Sequence, residues 1–187
     1  MPMTSSLHTK TILSRALIRH CSRKSFDKVS ITDLTEECGL TRQAFYYHFA
    51  DKQELLEWTY QVDVFTYLMH NISLDNWNTQ VLHMLQGIKE KDRFYYHTTS
   101  SDQSIIAACF LSVTEKLFHK LFEKLDDQGL VSQKDQNFYA RFFSYGCCGI
   151  LVDWILTGFK ESEEDIAGQL NRIMVDIRFF SKKAALR

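Results

Sequence analysis

Three helix starts crowd into residues 30–52, SITDLTEECGLTRQAFYYHFADK, and leave that segment little conformational choice. Ser30 stands three residues before Asp33, and Asp51 three before Glu54. This is the spacing of a capping box, in which side chains satisfy the bare N–H groups of a helix start. Thr41 opens a helix between them. Val29 with Leu34, and Leu40 with Phe45, are apolar pairs spaced to fix the angle of helix entry. Gly39 falls where the first helix must stop and reverse. Two short helices joined by such a turn form a helix-turn-helix, whose second helix enters the major groove of DNA.

That second helix carries a donor-rich face. At 3.6 residues per turn, Arg42, Gln43, Tyr46 and Tyr47 share an arc of about 140°, while Ala44 and Phe45 point toward the first helix and the core. Arg42 suits guanine O6 and N7, and Gln43 suits the adenine edge. The tyrosines offer hydroxyls to phosphates and ring edges to thymine methyls. Thr41 and the free N–H groups of the helix start suit a phosphate, as does Lys52 at the next start. The competing reading, a solvated face with two half-packed tyrosines, does not account for the aligned caps and turn.

The segment Phe45, Tyr46, Tyr47, His48, Phe49, followed by Asp51 and Lys52, resembles the end of the DNA-binding domain of the TetR family of bacterial transcription regulators. The likeness covers roughly residues 9–60. It implies DNA contacts from Thr41, Arg42, Gln43, Tyr46, Tyr47, His48 and Lys52, with Ser30 and Thr32 touching the backbone from the preceding helix start. Many family members carry a small residue, often glycine, where this chain has Gln43, so Gln43 is expected to read a base that they leave alone. The region 142–159 and the aromatic run 94–96 resemble, more loosely, a TetR subgroup that includes regulators of dihydroxyacetone kinase operons.

A single proline and no strand-like alternation favour an all-α fold for this 187-residue chain. Net charge is −1, which by itself argues against nucleic acid, but its distribution does not. Residues 1–52 hold eight Lys/Arg against five Asp/Glu, and residues 53–187 hold fourteen against eighteen. A basic head on an acidic body fits DNA contact through one end. The expected organisation is therefore a helix-turn-helix domain over residues 1–52 and a helical effector and dimerisation domain over residues 53–187.

The start, MPMTSSLHTK, lacks the apolar core of a secretory leader, and no run is long enough to span a bilayer, so a cytoplasmic protein is expected. The five cysteines show no zinc spacing, and no metal or cofactor is expected. Cys147 and Cys148 are read as packing residues, with thiol sensing as the alternative. Phosphate-binding and nucleophile-elbow motifs are absent, so catalysis has no positive signal.

Beyond the head, hydrophobic spacing predicts helices over residues 9–24, 52–71, 75–91, 104–127, 132–159 and 162–181, with a short helix and loop at 92–101. Phe138, Phe142, Tyr145, Gly149, Val152 and Leu156 recur at intervals of four and three. That stripe, with Gly146 as a close-approach site and Trp154 and Ile155 adding area, predicts an interface with a second copy. Tyr95, Tyr96, His97, Phe110, Phe118, Tyr139 and Phe143 are candidate liners of an effector pocket. The function expected is a homodimeric regulator binding a double-stranded DNA operator, controlled by a small molecule or a protein partner. Repression is the family default and activation is open. The alternative is a helical adaptor whose helix-turn-helix no longer grips DNA, which would have no reason to keep Arg42, Gln43, Tyr46 and Lys52 on one surface.

Overall fold

The computed structural model describes residues 3–69, 72–73, 75–126, 129 and 131–184, and every regular element among them is helical. Helix α1 spans Met3–Cys21, beginning earlier than the spacing indicates. A 3₁₀ turn, Phe26–Lys28, leads to α2 (Ile31–Glu37) and α3 (Arg42–His48). The capping box at Ser30 is complete: Asp33 N donates to Ser30 Oγ at 3.1 Å, and Ser30 N to Asp33 Oδ2 at 2.9 Å. Asp51 accepts from Gln53 N and Glu54 N, but the Glu54 side chain reaches back to Ala50 N rather than to Asp51.

Helix α2 closes on a Schellman turn. Gly39, at φ 64°, lets its N–H reach Glu36 O and that of Leu40 reach Thr35 O at 2.8 Å. Leu13, Leu17, Leu34, Phe45 and Phe49 are buried between the three helices. Arg19 of α1 pairs with Glu37 of α2 at their outer edge.

The fourth helix is segmented. Helix α4 (Lys52–Tyr60) passes through a π-helical stretch, Gln61–Phe65, into α5 (Thr66–Met69), where one continuous helix was expected. The stretch lies against α6 (Trp77–Glu90) at Gly87. A Cβ added to Gly87 would stand 3.0 Å from Val64 Cγ1, so glycine permits the approach.

Helix α7 fills all of Asp92–Ser101, correcting the expected short helix and loop. Its polar, β-branched sequence is a poor helix former, but burial of Phe94, Tyr95, Thr98 and Thr99 along one face overrides that tendency. Helices α8 (Gln103–Leu125) and α9 (Gln133–Leu156) pack along each other, and α10 (Glu163–Ala184) lies on α6. Helix α9 stops before residue 159 because Gly158, at φ 79°, forms a second Schellman turn, with Phe159 packed edge-on against Trp154 at 4.8 Å.

The backbone N–H of Ser30, and then Lys24, hold the Asp33 carboxylate at a pKa of about 2. A depressed carboxylate stabilises the fold above its unfolded pKa, about 3.9, and loses that contribution as pH falls through the folded value. The gap in urea midpoint between the parent and Asp33→Asn is therefore expected to be full above about pH 4 and to close as pH approaches 2.

Candidate nucleic-acid interface and effector body

Helix α3 turns its apolar side, Phe45 and the adjoining Phe49, into the head and leaves the rest outward. Arg42 and Gln43 are exposed, Tyr46 is 49% exposed and Tyr47 82% exposed. A tyrosine so bare on a helix pinned by an N-cap has no packing role, which makes it available to a partner. Ala44 N donates to Thr41 Oγ1 at 3.1 Å, so this cap orients the N-terminal N–H groups outward beside Arg42 and Gln43. Ser30 and Thr32 are exposed at the start of α2.

His48 sits at the margin of this face, half-buried, with Nδ1 3.4 Å from Ser6 Oγ. Burial first, then Lys10, lower its pKa below the ordinary histidine value, which favours the neutral ring in the free protein. Residues Ser6 and Lys10 come from the early turns of α1.

Lys52 does not project as a free cation. Its Nζ donates to the carbonyls of Phe26 at 2.9 Å, Val29 at 3.2 Å and Asp27 at 3.4 Å, and lies 4.5 Å from the Phe26 ring centroid. An ammonium has three donors, and all three are engaged. Lys52 thus ties the start of α4 to the 3₁₀ turn ahead of α2, a positioning role in place of the expected phosphate contact.

In the body, Tyr95, Tyr96 and His97 depart from the expected pocket. Tyr95 is wholly buried, stacked on Tyr60 at 5.5 Å, with its hydroxyl donating to Asp63 Oδ2 at 2.8 Å. Burial, then Asp63, push its phenol pKa well up, which keeps that donor proton in place. Asp63 also pairs with Lys91 Nζ at 3.0 Å. Tyr96 points to solvent. His97 Nδ1 lies 2.7 Å from Cys21 O, so this nitrogen bears the proton and joins α7 to the last turn of α1.

The other liners do meet cavities. Phe110 and Phe118 bound a space of about 20 Å³ with Leu68, Trp77 and Thr114. Phe118 and Phe143 bound an adjoining one of about 160 Å³, and Tyr139 and Phe143 a third of about 230 Å³. A groove of about 450 Å³ between the segmented helix and α8, edged by Lys116, Lys120 and Lys124, was not anticipated.

On α9, Phe142, Tyr145, Gly149 and Leu156 face outward with Gly146, and Val152 is half-buried. Trp154 does not join them, a correction: it is 2% exposed, with Nε1 donating to Glu161 O at 3.0 Å inside its own chain. Ile155 is likewise buried. Burial, then the neighbouring Cys148, raise the Cys147 thiol pKa to about 12, and burial raises that of Cys148, so neither is a thiolate at neutral pH. Among the described residues no His, Cys, Asp and Glu group could hold a metal, and no helix is long and apolar enough to cross a membrane.

Residues 14–58 match the family of bacterial regulatory proteins, tetR family, and residues 75–176 match the transcriptional regulator C-terminal region. The chain belongs to the TetR family of bacterial transcriptional regulators. It is thus a DNA-binding regulator and not an enzyme. It is 25% identical over 182 residues, 95% of both chains, to the HTH-type dhaKLM operon transcriptional activator DhaS of Lactococcus lactis subsp. lactis. The solved structure of a dihydroxyacetone kinase operon activator DhaS aligns with a TM-score of 0.71 at 22% identity, covering 92% of this chain and 97% of that one. The TetR family repressor AlkX from Dietzia sp., implicated in biodegradation of n-alkanes, aligns with a TM-score of 0.57 at 13% identity, covering 93% and 95%.

Lys52→Met keeps the stem on Phe26 and deletes the donors. It is expected to cost roughly 1–3 kcal/mol of stability and to leave the salt dependence of DNA affinity unchanged. A fall in the slope of log affinity against log salt by about one would assign Lys52 to a phosphate instead.

Proposed function

We propose that this chain acts as a homodimer that reads a two-fold operator through α3 and is controlled through its helical body. The observation that carries the reading is the polar face of α3, where Arg42, Gln43, Tyr46 and Tyr47 stand exposed on a helix whose other side is locked into the head. Thr41, with Ser30 and Thr32 on α2, flanks that face for backbone contact. The head comprises residues 1–52 and the body residues 53–187, with α4 packed on α1 and so shared between them. A cytoplasmic site of action goes with a bacterial operator.

A second copy is expected on α9. Phe138, Phe142 and Tyr145 are each more than half exposed, and a Cβ built on Gly146 or Gly149 would meet nothing within 4 Å. Exposed aromatic area of this extent on one helix marks an interaction surface. Pairing through α9 would set two recognition helices against successive major grooves. The control step is a change in that separation, driven by an effector or protein partner that favours one body conformation. The sense of control in the relative aligned over most of this chain is activation, and in the more distant structural neighbour repression.

Selection from a random duplex library at stated salt tests the reading directly, with a palindromic consensus expected and no enrichment favouring the adaptor. Arg42→Ala is expected to cost about 1–3 kcal/mol of operator affinity and to relax preference at one base pair. Phe142→Glu is expected to give monomers in sedimentation velocity with unchanged helicity by circular dichroism. A dimer that survives it would place the interface elsewhere.

A further inference from the structure

We infer that Lys10, from the early turns of α1, contacts a phosphate of the DNA backbone at the C-terminal end of α3. The inference rests on the reading of α3 as the helix that enters the major groove, and adds a contact from outside the helix-turn-helix. Lys10 Nζ lies 5.0 Å from the ring centroid of Phe49, the residue that caps the end of α3. One turn earlier on the same strip of α1, Ser6 Oγ lies 3.4 Å from His48 Nδ1. The His48 ring stands edge-on to that of Tyr47 at 5.0 Å, and Tyr47 is exposed on the outward face. Lys10, His48 and Tyr47 thus lead from α1 onto the face that would read bases.

The ammonium is available for such a contact. Phe49 is buried, so Lys10 covers its ring with the side-chain stem and head, and the three N–H donors of the ammonium are left for a ligand. Among the described residues Lys10 has no hydrogen bond and no ion pair. Three other cations of the head are committed elsewhere: Arg19 pairs with Glu37, Lys24 with Asp33, and Lys52 with carbonyls. The charge of Lys10 is felt at His48, whose pKa it helps burial to lower, so the ammonium stands close to the margin of the reading face.

Groove dimensions bring a phosphate to that margin. Helix α3 has seven residues and is about 10 Å long, while the major groove is about 12 Å wide. A duplex seated on this face therefore carries its phosphate rims past the ends of the helix. At the C-terminal end bare carbonyls point outward, and a phosphate there needs a cation to offset them. His48 is held toward its neutral form and Lys52 is engaged within the head, so the charge falls to Lys10. An ammonium on a flexible stem acts as a point charge, which suits a phosphate and not the donor pattern of a base edge. The contact adds affinity and register without reading sequence.

The test compares the full-length parent, Lys10→Met and Lys10→Arg by fluorescence anisotropy between about 50 and 200 mM KCl. The probes are the consensus duplex recovered by selection and a scrambled duplex of equal length. Lys10→Met keeps a stem over Phe49 and deletes the charge. It is expected to lower the slope of log affinity against log salt by about one per bound protomer and to weaken both duplexes alike. Lys10→Arg is expected to restore the slope. Lys52→Met leaves that slope alone, so one measurement separates the two lysines. If Lys10→Met does not fold, Lys10→Gln reports the same loss of charge. An unchanged slope, or a changed preference at one base pair in place of a uniform loss, overturns the inference and leaves the operator reading intact. A parent protein that enriches no consensus and binds neither duplex overturns the reading of α3, and this inference with it.

Discussion

Burial of one segmented helix, residues 52–69, is the constraint on which both halves of the molecule depend. Leu55, Leu56, Tyr60, Val64, Phe65 and Leu68 are all buried along it. Each neighbour is engaged by a distinct contact. Thr59 Oγ1 donates to Ser14 Oγ of α1 at 3.0 Å, and the Tyr60 hydroxyl donates to Thr98 of α7 at 2.7 Å. Phe65 meets Phe110 of α8 edge-on at 5.5 Å, and Val64 nests against Gly87 of α6. A head of about fifty residues buries too little surface to be robust alone, and this helix lends it the core of the body. Because packed interiors switch between arrangements rather than deform smoothly, any shift of the helix must be felt at both ends.

Polar fasteners sit where the two halves meet. Lys52 gathers three carbonyls ahead of α2, and His97 donates to the end of α1. These contacts separate two tasks that a family resemblance merges. A residue that is to read DNA needs exposure, as Tyr47 has, whereas Lys52 is engaged in tying the start of α4 to the turn ahead of α2.

What could be read from the chain beforehand was whatever depends on near neighbours in sequence. The caps at Ser30, Thr41, Asp51, Ser132 and Ser162 and the stop at Gly39 are all local, and each marks a real helix boundary. Helix α7 was under-read because its stability comes from burial against distant elements, not from its own residues. The partners of Lys52 lie 23 to 26 positions away and that of His97 lies 76 away, beyond any spacing rule. Trp154 differs in kind, since nine residues after Tyr145 is a half-turn away, about 180° around the helix. Helical arithmetic alone would have put it on the inner side.

The π-helical stretch at Gln61–Phe65 has a consequence for how such a protein changes over time. A π turn accommodates one residue more than an α turn, so it acts as a splice between two side-chain registers offset by about 100°. Below it, Leu55 and Leu56 are buried; above it, Leu68 lines the small cavity. Losing a single residue there would restore a regular helix and swing one end relative to the other. The alignment of the two halves can thus be retuned by one codon gained or lost at this stretch, far from the outward face of α3.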